Sequence, residues 1–123
     1  MYNFFMLPKD YRLKSRAAFA ATYRVKNSHY CQGIVLYVGK EKNDDSIPTK
    51  VGFVVSKKTH KRAVKRNRLK RLMRESYRLL LKSGDLGDSQ KYMSLIFVGY
   101  ERALGQNFDE IQKSINTLIK ELP

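Results

Sequence analysis

Lys50-Val51-Gly52-Phe53-Val54-Val55-Ser56-Lys57-Lys58, followed four residues later by Ala63-Val64-Lys65-Arg66-Asn67-Arg68-Leu69-Lys70-Arg71-Leu72-Met73-Arg74-Glu75, decides how this chain is read. The first run is β-branched and aromatic, and residues of that kind fit a pleated, half-buried strand. The second contains no Pro or Gly and consists largely of good helix formers. On a helical wheel Leu69, Leu72, Met73, Ser76, Leu79 and Leu80 fall in one stripe, while Arg66, Asn67, Lys70, Arg71, Arg74 and Arg78 fan over the other side. A strand leading into a basic amphipathic helix is therefore expected.

Charge gives that helix a purpose. Residues 57–82 carry twelve of the chain's 25 Lys and Arg and one acid, Glu75, in a protein of formal net charge +14. Like charges at helical neighbours repel, so such a run is poorly explained as a merely solvated face. Arg66, Lys70 and Arg74 recur at four-residue steps along one ridge, and guanidinium forks match phosphate oxygens in pairs. The expected partner is a phosphate polymer. A membrane-surface helix is disfavoured, because the apolar stripe has no Trp or Phe and the neighbouring elements need it for their own core.

Working outward, residues 15–23 hold Phe19 and Tyr23 four apart among alanines, which is helical spacing. Residues 33–39 and 50–56 read as strands separated by Asn43-Asp44-Asp45 turn material, and the two are expected to pair antiparallel. Residues 91–98 are apolar at nearly every position, as a central or covered strand would be. Asn107 with Glu110 three residues on signals a capped last helix with Phe108, Ile111, Ile115, Leu118 and Ile119 at near-helical spacing, covering the sheet. Residues 41–48 and 83–90 are loops. The architecture expected is α+β in two layers, with helices packed on a mixed sheet whose other face stays partly open. Three strands are legible, and residues 1–123 are expected to form one domain around one core.

Composition narrows the function. The lone Cys31 excludes an intrachain disulfide, and one thiol with two separated histidines, His29 and His60, cannot complete a four-ligand zinc site. His29 is the only sequence-local base for Cys31, and a small packed thiol is the simpler account. The acids Asp44, Asp45, Asp85 and Asp88 lie in turn material, where they cap and turn backbone. No catalytic constellation is expected. The apolar start, residues 1–8, lacks the cationic leader, the length and the cleavage site of a signal peptide, and no run reaches the roughly 18 apolar residues of a membrane span. A cytoplasmic protein is expected.

A second candidate surface comprises Phe19, Tyr23 and Tyr37, with Lys14, Arg16, Arg24, Lys57 and Lys58 nearby in sequence or on strand ends. Rings interleaved with cations suit a single nucleic-acid strand. Spacing alone favours ordinary core packing for Phe19 and Tyr37.

Taken together, Ser56-Lys57-Lys58, Arg66-Asn67-Arg68 and Lys70-Arg71, with Tyr11-Arg12-Leu13-Lys14, Phe19, Tyr23 and Leu36-Tyr37 upstream, closely resemble the protein subunit of bacterial ribonuclease P over nearly the whole chain. That resemblance implies a mixed four-stranded sheet with three helices and a left-handed βαβ crossover through the basic helix. It implies an RNA subunit that uses magnesium to remove the 5′ leader of precursor tRNA, while the protein binds and positions. Arg62, Lys65, Arg66, Asn67, Arg68, Lys70, Arg71 and Arg74 would meet the catalytic RNA. Phe19, Tyr23, Tyr37, Val55, Lys57 and Lys58 would receive the precursor-tRNA leader, which reverses the plain-packing reading of Tyr23 and Tyr37. Two departures stand out: Tyr23 holds a position often filled by Phe, and Thr59-His60-Lys61-Arg62 lacks the Gly-Asn found there in some members. The alternatives are a ribosomal or other structural RNA-binding protein and, more remotely, a protein-only nuclease.

Overall fold

The computed structural model describes residues 7–123, so most of the apolar start read above as no signal peptide lies outside the described residues. Residues Arg16–Arg24 form α1, capped by Ser15, whose side chain accepts from Ala18 N. Strands β1, Asn27–Cys31, and β2, Ile34–Val38, make a hairpin. Its two-residue turn puts both Gln32 (φ 49°) and Gly33 (φ 90°) at positive φ, as primed hairpin turns require. Strand β3, Lys50–Val54, leads into α2, Ala63–Ser83, and the chain returns as β4, Ser94–Gly99, before α3, Phe108–Lys120.

The sheet order is β1-β2-β4-β3. The expected antiparallel pairing of the runs at 33–39 and 50–56 is not made. Strand β4 inserts between β2 and β3, pairing antiparallel with β2 and parallel with β3. Sequence neighbours commonly pair through a two-residue turn, but eleven residues, 39–49, separate β2 from β3. The most continuously apolar strand takes the covered centre. A parallel β3–β4 pair needs a crossover, which α2 supplies. Strand β1, the fourth, escapes the hydrophobic pattern because Asn-Ser-His-Tyr-Cys is polar edge material.

Alternation along the strands separates two faces. Ile34, Leu36, Val38, Val51, Leu95 and Phe97 lie in the main core, beneath Leu69, Met73, Tyr77 and Leu80 of α2 and Ile111, Ile115, Leu118 and Ile119 of α3. Phe53 stacks on Phe97 at 5.7 Å between ring centroids, and Tyr77 tilts against Phe97 at 5.9 Å. Each such fully buried side chain contributes roughly 1.5 to 3 kcal/mol. A methyl at Gly99 would stand 2.5 Å from Leu69 Cδ2, so the bare α-carbon lets α2 lie directly on β4. The other face carries a smaller cluster, Leu13, Ile96 and Val98, with Ala18, Phe19, Tyr37 and Val54 packed on it. Helix α1 covers part of that face, and the rest is open.

The buried side of α2 differs from the wheel at Leu79, which is absent from the core while Leu81 packs on it, and at Tyr77 and Arg78. Tyr77 is fully buried, with its hydroxyl accepting from Gln90 Nε2 at 2.9 Å. Arg78, expected in the exposed fan, is 6% exposed and pairs through two nitrogens with Glu75, at 2.6 and 2.9 Å. The one acid of the basic run is therefore spent internally.

Candidate nucleic-acid interface

Helix α2 begins without a side-chain cap at Arg62 and without an acid in its first turn. Its orphan N–H groups and positive dipole end therefore add to the lysines and arginines beside them. Arg62, Lys65, Asn67 and Arg71 are exposed, and Arg66, Arg68, Lys70 and Arg74 are partly covered. Val64, 72% exposed, gives this face one apolar contact point. A groove along the helix is lined by Val64, Asn67, Arg68, Lys70, Arg71 and Arg74.

The two arginines of Arg66-Asn67-Arg68 also hold the protein's own backbone. Arg66 Nη1 donates to His60 O at 2.7 Å and Lys61 O at 2.8 Å, fastening the 56–62 segment to the helix it precedes. His60 Nδ1 accepts from Arg62 N at 3.0 Å, which gives this histidine a place in the same turn. Arg68 donates to Leu104 O and Gln106 O, both at 3.3 Å, and so ties α2 to the loop before α3. Each guanidinium has five N–H donors, so the tethered arginines keep others for a ligand. Burial first, and then the Arg12 and Arg71 guanidiniums, push the pKa of Arg74 below its ordinary value.

The second surface lies between α1 and the open sheet face. Phe19 sits over Gly52, where an added methyl would stand 2.6 Å from Phe19 Cζ. Tyr23 meets Tyr37 edge-to-face at 4.9 Å and 77°. Phe19 packs in the smaller cluster while Tyr23 remains 36% exposed, so one ring anchors α1 and the other presents an edge to solvent. Lys57 and Lys58 are exposed in the turn after β3. Val55 is not part of this surface: it is 5% exposed, lies in the main core, and would meet a methyl at Gly99 at 3.2 Å. Val54, on the opposite face and packed with Tyr37 in the smaller cluster, takes the place assigned to it.

Two rings went unread in the sequence. Tyr100 is 42% exposed, and its phenol pKa is raised by burial and then by Tyr37 and Tyr23. Tyr30, 58% exposed, pairs across the hairpin with Val35 and so shares the open face. Tyr100 lies just past the third apolar run and Tyr30 in the polar strand, beyond the reach of a hydrophobic pattern. Cys31 packs against the main core, and His29 Nε2 lies 3.1 Å from Asn27 Oδ1. Among the described residues no helix is long and apolar enough to cross a membrane.

Comparison with known proteins agrees with this geometry. A family model described as Ribonuclease P matches residues 7–123. The ribonuclease P protein component of Clostridium kluyveri is 35% identical over 111 residues, covering 90% of this chain and 93% of that protein. The structure of Staphylococcus aureus RNase P protein superposes with a TM-score of 0.71 at 27% identity, covering 91% of this chain and 94% of that one. RNase P protein from Thermotoga maritima, at 22% identity, shares the fold with a TM-score of 0.73, covering 91% and 97% of the respective chains.

Proposed function

Because the chain belongs to the bacterial ribonuclease P protein family, we propose that it works as a single RNA-binding domain with two surfaces, one for the catalytic RNA and one for the precursor-tRNA leader. It is the protein component of an endoribonuclease whose RNA subunit carries out catalysis in tRNA 5′ maturation. The family match over residues 7–123 is the observation that carries this reading.

On the first surface, Arg62, Lys65, Asn67, Lys70 and Arg71 contact phosphates of the catalytic RNA, with Arg66, Arg68 and Arg74 contributing the donors their internal bonds leave over. Lys and Arg near closely spaced phosphates release condensed counterions and lower the repulsion between RNA strands. On the second surface, Tyr23 and Tyr37 receive leader bases, Phe19 holds their platform, Val54 replaces Val55 as an aliphatic contact, and Lys57 and Lys58 meet the backbone. Stacking on aromatic rings tolerates any base, which suits leaders of varied sequence. In this reading the magnesium of the holoenzyme goes with the RNA, since Lys and Arg, which dominate the surface facing RNA, offer a metal no oxygen ligand. We assign the protein to the cytoplasm because the proposed substrate, precursor tRNA, is made there.

The test is cleavage of precursor tRNA by the chain alone, by its cognate RNA alone at low magnesium, and by the two together. Restoration only by the pair is expected. Cleavage by the polypeptide alone would establish a protein-only nuclease, and no gain from the pair would leave a structural RNA-binding protein.

A further inference from the structure

A cavity of about 480 Å³ opens at the β3 edge of the sheet, where the segment before α1 meets α2. Small-ligand pockets span roughly 300 to 1,000 Å³, so its size suits a single small group. Phe19 and Gly52 give it an apolar floor, Phe53 borders it from the opposite face of β3, and Arg12, Lys14 and Arg74 stand around it. No Asp or Glu lines it among the described residues.

The cations are placed by two distant parts of the chain, the segment before α1 and helix α2. Arg12 bridges Val51 in parallel fashion and Leu13 N donates to Val51 O at 3.0 Å, so this segment is fixed along the sheet edge. Arg12 Nε donates to Leu7 O at 2.7 Å, which holds the guanidinium in position. Lys14 is exposed just ahead of α1, and Arg74 reaches in from α2, half-buried. Arg12 and Arg71 both bear on Arg74 with like charge. Cations gathered in a partly desolvated site without a lining carboxylate favour an anion there, since it relieves their mutual repulsion. The apolar floor asks for something flat and aromatic as well.

We propose that this cavity takes one nucleotide of an RNA strand, its base against the apolar floor at Phe19 and its phosphate among Arg12, Lys14 and Arg74. The proposal rests on the reading of the chain as a ribonuclease P protein component, and it joins that reading's two surfaces. Phe19 belongs to the α1 side, while Arg74 also lines the groove along α2. A strand running from one surface to the other crosses this point. The nucleotide comes from the leader or from the catalytic RNA, and its chemistry is the same in both.

The experiment compares wild-type chain with Arg12→Gln and Lys14→Gln, using the full cognate RNA and precursor tRNA. One arm measures affinity for the catalytic RNA across a salt series. The other measures affinity of the assembled holoenzyme for leader-bearing and leader-free tRNA. Thermal melts check that each variant folds, and Lys14, exposed on the surface, keeps the test valid should Arg12→Gln unfold. Loss of one charge-assisted phosphate contact weakens binding about tenfold and reduces the salt slope by roughly 0.7 to 0.9. A loss in the catalytic-RNA arm, or in the leader-bearing arm alone, supports the cavity and names the source of its nucleotide. Wild-type affinity and slope in both arms, for folded variants of a chain that assembles normally, overturn the cavity and leave the proposed function intact. Failure of the wild-type chain to assemble at all overturns both.

Discussion

At the scale of single residues, structural and binding duties divide within Arg66-Asn67-Arg68. Arg68 satisfies two carbonyls of the loop before α3. Arg68→Ala should therefore cost about 1 to 3 kcal/mol of stability, because partly buried acceptors lose their donor. Lys65→Ala, at an exposed site, should shift stability by no more than about 0.5 kcal/mol while reducing the salt slope of RNA binding. Chemical denaturation beside a salt series of RNA affinity separates the two, and equal stability losses would contradict the division. Tyr77 gives a second prediction. Its phenol pKa is raised first by burial and also by Tyr11, against an opposing hydrogen bond from Gln90, so the folded state favours the neutral form. That contribution is complete below the unfolded value of about 10 and is lost as pH climbs through it toward the higher folded value. Tyr77→Phe should flatten the alkaline fall in stability and cost about 1 kcal/mol at neutral pH through the lost hydrogen bond. Denaturation midpoints between neutrality and strongly alkaline pH decide it. One residue was assigned to the wrong face from sequence. Val54-Val55 are two equivalent side chains and Gly52 hides the alternation before them; only packing against Leu69 and Gly99 shows that Val55 points into the core.

At the scale of elements, local chemistry was read well and long-range pairing poorly. Asn107 and Glu110 make the reciprocal capping box expected of them: Asn107 Oδ1 accepts from Glu110 N at 2.9 Å and Glu110 Oε1 accepts from Asn107 N at 3.1 Å. Asn107→Ala should destabilise the protein by about 1 kcal/mol, measured by thermal melting, and leave affinity for leader-bearing tRNA unchanged, because α3 packs on the sheet face away from the open one. An equal loss of that affinity would mean that α3 touches RNA. Strand β1 was missed for a physical reason. A polar edge strand has no hydrophobic alternation to display, and its turn uses Gln32-Gly33 where the strong hairpin signals are Asn-Gly or Asp-Gly. The pairing of β2 with β4 rather than β3 depends on which strand most gains from the covered centre, a comparison among distant segments that no local window contains. Helix α2 ends at Gly84, whose φ of 75° closes it in the left-handed region that glycine tolerates.

At the scale of the whole molecule, +14 on 14.4 kDa sets two electrostatic tendencies in opposition. The free chain repels itself, and screening should relieve that repulsion. Raising NaCl from about 0.01 M to 0.1 M shortens the Debye length from about 30 Å to about 10 Å, so the melting temperature of the free protein should rise. Bound RNA acts in the other direction with salt. At a hundredfold excess over Kd a ligand of the native state adds about 2.7 kcal/mol, but Kd itself weakens steeply as salt increases because each phosphate contact releases counterions. The melting temperature of the complex should therefore fall toward that of the free chain over the same series in which the free chain is gaining stability, and the two curves should converge. Residues 57–82, which include most of α2, carry twelve Lys and Arg against one acid, so neutralising exposed Lys65 and partly covered Lys70 to Gln should bring both effects down together: less gain from salt in the free protein, less gain from RNA in the complex. A variant that lost its response to RNA yet kept the full response to salt would show that self-repulsion and RNA binding reside on different surfaces, contrary to the single cationic ridge described above.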